Sequence, residues 1–219
     1  MQFTWDDGLL AAGHRAGLAA LGRESEAPAF TARFVGEKLP ALRAAGAAER
    51  LDYETELRDL LGPVSDEQLG RFLDAEHAAW RPARALAADA HALLESLRAR
   101  GLRLAIVANT WPDSPRAVRR ELDELGVATR VDVVVLSGEV GTRKPAPAIF
   151  EQALAALDVD AADALFVGDR LVDDLQGAAG VGMRTVQALW FNADDDPAAV
   201  EPDDRAFTLM DVFNIARAH

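Results

Sequence analysis

The chain has 219 residues, and half of them are hydrophobic, enough for one sizeable packed core or a core with a smaller inserted unit. Its net charge of −13 disfavours nucleic acid and anionic membrane surfaces as partners. Cysteine is absent, which excludes disulfides, thiolate metal sites and cysteine nucleophiles. No apolar run approaches the ~20 residues of a spanning helix, so no membrane partner is expected. The opening "MQFTWDDG" has neither a basic segment nor an apolar h-region, so no signal peptide is expected and the expected location is cytoplasmic.

Residues 9–82 read as helices. "LLAAGHRAGLAALG" sets Leu9, Leu10, Leu18 and Leu21 among alanines and stops at Gly22. "PAFTARFVGEKLPALRAA" and "LDYETELRDLLG" repeat apolar residues at helical spacing. "VSDEQLGRFLDAEHAAW" opens with Ser65 and carries Gln68 three residues later, a capping box in which each side chain satisfies an orphan N–H.

From residue 83 onward, strands and helices alternate. "ALAADAHALLESLRARG" predicts a helix with Leu86, Leu93, Leu94 and Leu97 inward. "LRLAIVAN" predicts a buried strand. "SPRAVRRELDELG" predicts a helix with Ser114 as N-cap and Pro115 at the first position, where its missing N–H is harmless. "VDVVVLSG", "ALFVGD" and "RTVQAL" predict further strands; "PAPAIFEQALAAL" and "LVDDLQGAAGVG" predict helices between them. "AFTL" and "DVFNIAR" add a short strand and a last helix. Near-continuous apolar strands alternating with helices define an α/β class: a Rossmann-like parallel sheet with helices on both faces, carrying an all-helical cap. Ligands in such sheets bind at the carboxyl ends of the strands.

Three of these strands end in polar residues that converge on that edge. One ends in Asn109-Thr110, and "VVVLSG" is followed by "EVGTRKPAP" with Lys144. "LFV" ends in Gly168-Asp169, with Asp173 and Asp174 on the next helix. Each has an ordinary structural reading. Asp173 and Asp174 favour a helix macrodipole, Asp169 suits a turn, and Asn109 and Thr110 can cap a loop. Lys144 is one of two lysines in an arginine-rich chain, the other being Lys38, and alone it reads as a solvated surface residue. Together they are suited to a divalent cation and a phosphoryl group.

"GTRKPAPAIFEQAL" and "FVGDRLVDDLQGAAGVGM" resemble motifs three and four of the haloacid dehalogenase (HAD) superfamily. The preceding helical block resembles that family's C1-type cap. The resemblance is strongest over residues 80–190. It implies magnesium (Mg2+), phosphoryl transfer through an aspartyl-phosphate, and a small phosphorylated metabolite as substrate. By the same mapping Lys144 steadies the nucleophile and the phosphoryl charge, and Asp169 ligands the metal. Asp174 holds the metal's waters or Lys144, and Asn109 and Thr110 are the candidate substrate-binding residues, with Thr110, two residues past the motif-two hydroxyl position, expected to point elsewhere. The domains expected are a remnant first strand (1–8), a helical cap (9–82) and the core (83–219).

Two motifs depart from the family. Motif two places Ser or Thr before the Asn, where this chain has Ala108. Motif one is an apolar strand ending in two aspartates, the first a nucleophile and the second an acid–base. An ungapped match sets Thr4 at the nucleophile and Asp6 at the acid–base, and a shift of one sets Trp5 and Asp7 there. A third reading takes "FTWDDGLLAAGHRAG" as the segment that follows motif one, so that the first strand is missing. Little phosphatase turnover is expected from the chain as it stands. The alternatives are a non-catalytic HAD-fold binding or regulatory protein and a dehalogenase-type hydrolase. A phosphonatase would need a cap lysine, for which Lys38 is the candidate, and nothing around "FVGEKLPAL" supports it.

Overall fold

Asp7 opens the first helix of a computed structural model that describes residues 7–45, 52–190 and 200–217. In chain order the helices before the first strand are α1 (Asp7–Ala20), α2 (Ala27–Arg33), α3 (Leu39–Ala44), α4 (Tyr53–Leu61), α5 (Asp66–Trp80) and α6 (Ala90–Ala99). A wide turn over Phe34–Lys38 joins α2 to α3. There follow β1 (Ala105–Ala108), α7 (Pro115–Glu124), β2 (Val133–Leu136), α8 (Ser137–Val140), α9 (Pro147–Leu157) and β3 (Leu165–Gly168). The chain continues with α10 (Gly177–Gly180), β4 (Arg184–Ala188), β5 (Asp204–Ala206) and α11 (Leu209–Arg217). Of the expected first strand, residues 1–6 lie outside the described residues, and Asp7 and Gly8 begin α1. No described helix is long and apolar enough to cross a membrane.

The chain forms two compact units. The first gathers the described residues of Met1–Gly46, Leu51–Ala87 and Thr110–Glu121. Its core joins Leu10 and Leu18 of α1, Phe30, Phe34, Tyr53, Leu57 and, on α5, Leu69, Phe72, Leu73 and Trp80. These residues recur at helical spacing, so each helix turns one apolar stripe inward. Gly13 lets α1 approach α5 closely: a Cβ there would lie 2.1 Å from Trp80 Nε1. That indole donates to the Leu9 carbonyl at 3.0 Å, so the one polar atom of a fully buried ring is satisfied. The predicted capping box at α5 forms, with Ser65 and Gln68 each bonding the other's backbone N–H.

The second unit holds the strands, within Ala88–Asn109 and Leu122–His219. β1 and β2 pair in parallel, Ala105 opposite Val133, and β3, β4 and β5 form a second parallel set. Among the described residues no strand pairs with the outer edge of either β1 or β3. α9 presents Ile149, Phe150, Ala153 and Leu154 as its buried face; the first three join Val107, Val135 and Phe166 from three strands in one core. Parallel strands linked by helices are what the alternating pattern demands, and the α/β class with a Rossmann-like core and helical cap follows.

Two local expectations shift. α6 begins at Ala90, so Leu86 precedes it while Leu93 and Leu97 still turn inward. The last strand is Asp204–Ala206 rather than "AFTL". Asp211 accepts the N–H groups of Phe207 and Thr208, and Thr208 Oγ1 accepts the N–H of Asp211. That reciprocal cap starts α11 at Leu209 and forces Phe207 out of the strand.

Candidate active site

Lys144 lies in the segment after β2 and α8, at the carboxyl end of the strands. Its Nζ donates to Asp174 Oδ1 at 2.5 Å, with 12% and 5% of the two side chains exposed. Asp174 Oδ2 accepts the backbone N–H of Arg170 at 3.1 Å, so both carboxylate oxygens are engaged. Gly168, the last residue of β3, makes room for that carboxyl: a Cβ there would lie 2.4 Å from Asp174 Cβ. The strand therefore ends in glycine because the next turn folds Asp174 back over it. The face of Phe166 lies 5.7 Å from Lys144 Nζ.

Asn109 directly follows β1. Its Oδ1 accepts the Lys144 N–H at 2.9 Å and its Nδ2 donates to the Lys144 carbonyl at 3.1 Å. Asp169 is half-exposed at the end of β3, with no bonded partner among the described residues. Asp173 pairs loosely with Arg170, at 3.9 Å, and burial raises its pKa. Lys144, Asn109 and Asp174 thus form one bonded group, and Asp169, the residue directly after Gly168, stands at the same strand end. Thr110 is buried and groups with the helical unit, its carbonyl accepting the Asp113 N–H. Asp6 lies outside the described residues. Asp7 is the first residue of α1, and its side chain is outside the described set.

The metal implied by the resemblance finds a partial fit. Among the described residues, no group of three or more His, Asp or Glu side chains is arranged to hold an ion. Asp174 is committed to Lys144 and Arg170. Asp169 has free carboxylate oxygens, and magnesium is satisfied by one or two carboxylates with water and substrate phosphate. Asp169 therefore suits a direct ligand, and Asp174 suits the lysine.

The helical unit holds buried polar clusters that the sequence reading missed. Arg84 bonds Asp113 and Glu121, reaching Glu121 Oε2 at 2.5 Å, and His77 Nδ1 lies 3.3 Å from Asp113. All four side chains are at most 6% exposed. Tyr53 donates to Glu76 Oε1 at 2.7 Å, and His14 Nδ1 meets Thr31 Oγ1 at 2.9 Å. Burial pushes the Glu76 carboxyl well up and lowers His14 to about 4. The sequence signal was faint: polar residues at inward helical positions, indistinguishable from exposed ones without the packing.

The fold and this strand-end group define an α/β protein with a Rossmann-like core that carries a lysine–carboxylate pair and an open carboxylate at the carboxyl end of its parallel strands. A family model, haloacid dehalogenase-like hydrolase, matches residues 6–182, and the chain belongs to that family. It is 38% identical over 135 residues to a ribulose-1,5-bisphosphate 5-phosphatase of Halopiger xanaduensis, covering 62% of this chain and 54% of that protein. It is 39% identical over 125 residues to a phosphoserine phosphatase of Thermus thermophilus, covering 57% and 49%. The matches thus span about half the length of these curated relatives. Among solved structures, a HAD phosphatase from Thermococcus onnurineus aligns with TM-score 0.65 and 26% identity, covering 94% of this chain and 87% of that one. A 2-haloacid dehalogenase from Pseudomonas syringae aligns with TM-score 0.60 at 22% identity, over 100% of this chain and 96% of that one, and shares the fold.

Proposed function

We propose that this chain is built as a magnesium-dependent phosphatase of a small phosphorylated metabolite, working through an aspartyl-phosphate, with turnover lowered because motif one is not intact. The observation that carries the reading is the Lys144–Asp174 pair beside the open carboxylate of Asp169. Lys144 has three ammonium donors, and Asp174 takes one. The others are available to offset charge on a transferring phosphoryl group. Asp174 holds the ammonium in place and keeps its neighbourhood electrically balanced. Asp169 would hold magnesium, which when bound supplies further positive charge at the phosphoryl oxygens. An aspartate carboxylate attacks phosphorus, the alkoxide leaves with a proton from the second, acid–base aspartate of motif one, and that carboxylate then takes a proton from the water that cleaves the acyl-phosphate to release inorganic phosphate. Asp6 and Asp7 are the candidates for aspartates of motif one. The expected location is cytoplasmic, with neither nucleic acid nor membrane as partner.

The relatives support phosphate esters over alkyl halides: those compared across curated proteins act, by name, on ribulose 1,5-bisphosphate and phosphoserine. The second reading, a non-catalytic protein of the same fold, is favoured by Ala108 in place of a hydroxyl residue and by Asp7 opening a helix rather than ending a strand. Release of inorganic phosphate from ribulose 1,5-bisphosphate, phosphoserine, glyceraldehyde 3-phosphate and p-nitrophenyl phosphate separates the two. Turnover that needs magnesium and is lost in Lys144→Ala supports the phosphatase. Loss in Asp6→Asn or Asp7→Asn identifies which of the two carboxylates serves motif one. No turnover on any ester, with the protein folded, supports the binding protein.

A further inference from the structure

We propose that Asn109 is a positioning residue for Lys144, acting as a clamp on the lysine's own backbone. This rests on Lys144 being the cation of the site. The two hydrogen bonds run from one side chain to one residue: Lys144 N–H into Oδ1 at 2.9 Å, and Nδ2–H into the Lys144 carbonyl at 3.1 Å. Along one edge an amide presents its oxygen as acceptor and one of its two N–H groups as donor, matched to the N–H and C=O of that residue. The partners also fix the amide's orientation, since the oxygen must face an N–H and the nitrogen a carbonyl.

The clamp links two elements that the sheet already holds in register. Asn109 follows Ala108, which sits opposite Leu136, the last residue of β2. Lys144 stands eight residues beyond Leu136, after α8 and the turn at Gly141. The ladder cannot fix a residue so far past its end. Asn109 supplies the missing restraint, so the lysine stem starts from a defined point and its Nζ reaches Asp174. Other residue types fail for specific reasons. Asp offers no donor to the carbonyl, Ser is too short to span both groups, and Ala offers neither bond. Asn109 thus acts on the reaction through Lys144.

The chain's two lysines make the test direct. Protein labelled with 15N-lysine gives two ammonium signals, and Lys38 serves as internal control because Glu56 and Asp59 hold it at 2.6 and 3.2 Å. The measurement is the exchange rate of each ammonium with water, at one fixed pH, in the full chain. In Asn109→Ala the Lys144 rate is expected to rise about tenfold or more, from two lost hydrogen bonds, with Lys38 unchanged. Asn109→Asp keeps the acceptor and loses the donor, and is expected to fall between. An unchanged Lys144 rate in a folded variant would overturn the proposal, as would an equal rise at both lysines, which marks general loosening. If Asn109→Ala does not fold, Asn109→Asp carries the same comparison. The readout needs no turnover, so it stands apart from whether the chain is a phosphatase.

Discussion

Lys144 Nζ and Asp174 Oδ1 meet at 2.5 Å across thirty residues of sequence, both side chains nearly buried. A buried pair of this kind is costly to break from one side, because the survivor keeps its charge without a partner. Lys144→Ala is therefore expected to lower stability by about 3 kcal/mol or more. The double variant with Asp174→Ala is expected to lose less than the sum of the singles, with a coupling of about 1–3 kcal/mol. Urea denaturation of the four proteins checks it; simple additivity would mean the contact carries little.

Gly168→Ala inserts a methyl where Asp174 Cβ, Cγ and Oδ2 lie within 2.6 Å. Asp174 must move, and with it the acceptor of Lys144. The expected cost is about 1–3 kcal/mol, typical of overpacking. The Lys144 ammonium signal should shift while Lys38 stays. A normal melting curve and an unmoved signal would show that the turn yields without effect.

Magnesium should stabilise the folded chain through Asp169. A site with one open carboxylate is expected to be weak, in the millimolar range, because magnesium gives up water reluctantly. At ten times the Kd, binding adds about 1.4 kcal/mol, a rise of about 3–6 °C in Tm for a domain of this size. Thermal melts at several magnesium concentrations, with sodium chloride matched for ionic strength, measure it. Asp169→Asn is expected to abolish the shift. An equal shift in both proteins would reduce the effect to screening of the −13 charge.

Stability should peak between the ordinary pKa values of Glu76 and His14. His14 drops from 6.5 to about 4 on folding, so the unfolded chain binds the extra proton between those values. Stability from this group is complete above pH 6.5 and falls as pH drops, by up to about 3 kcal/mol. Glu76 is raised well above 4.5, so there the folded chain holds the extra proton. Its contribution is complete below pH 4.5 and is lost as pH rises toward the folded pKa. Glu76→Gln keeps an acceptor for Tyr53 and removes the second slope. The Tm difference, Glu76→Gln minus wild type, should grow from pH 5 to pH 8; a flat difference would mean Glu76 is ionised in the folded state.

Some of this was written locally and some was not. The Ser65–Gln68 box, the Pro147 start of α9 and the β1, β2, β3 and β4 strands depend on neighbours within a few residues, so periodicity and capping chemistry exposed them. Lys144, Asp169 and Asp174 were legible as strand-end polar residues in motifs of fixed spacing. Three features needed the folded chain. Asp174 turned out to use both oxygens on protein groups, leaving Asp169 open; Asn109 faces the Lys144 backbone; and Thr110–Glu121 groups with the helical unit. Each depends on groups thirty or more residues apart, or on which side of an element a polar atom lies. Residue type sets what a side chain can bond, while the long-range packing of strands and helices decides which partner comes within 3 Å.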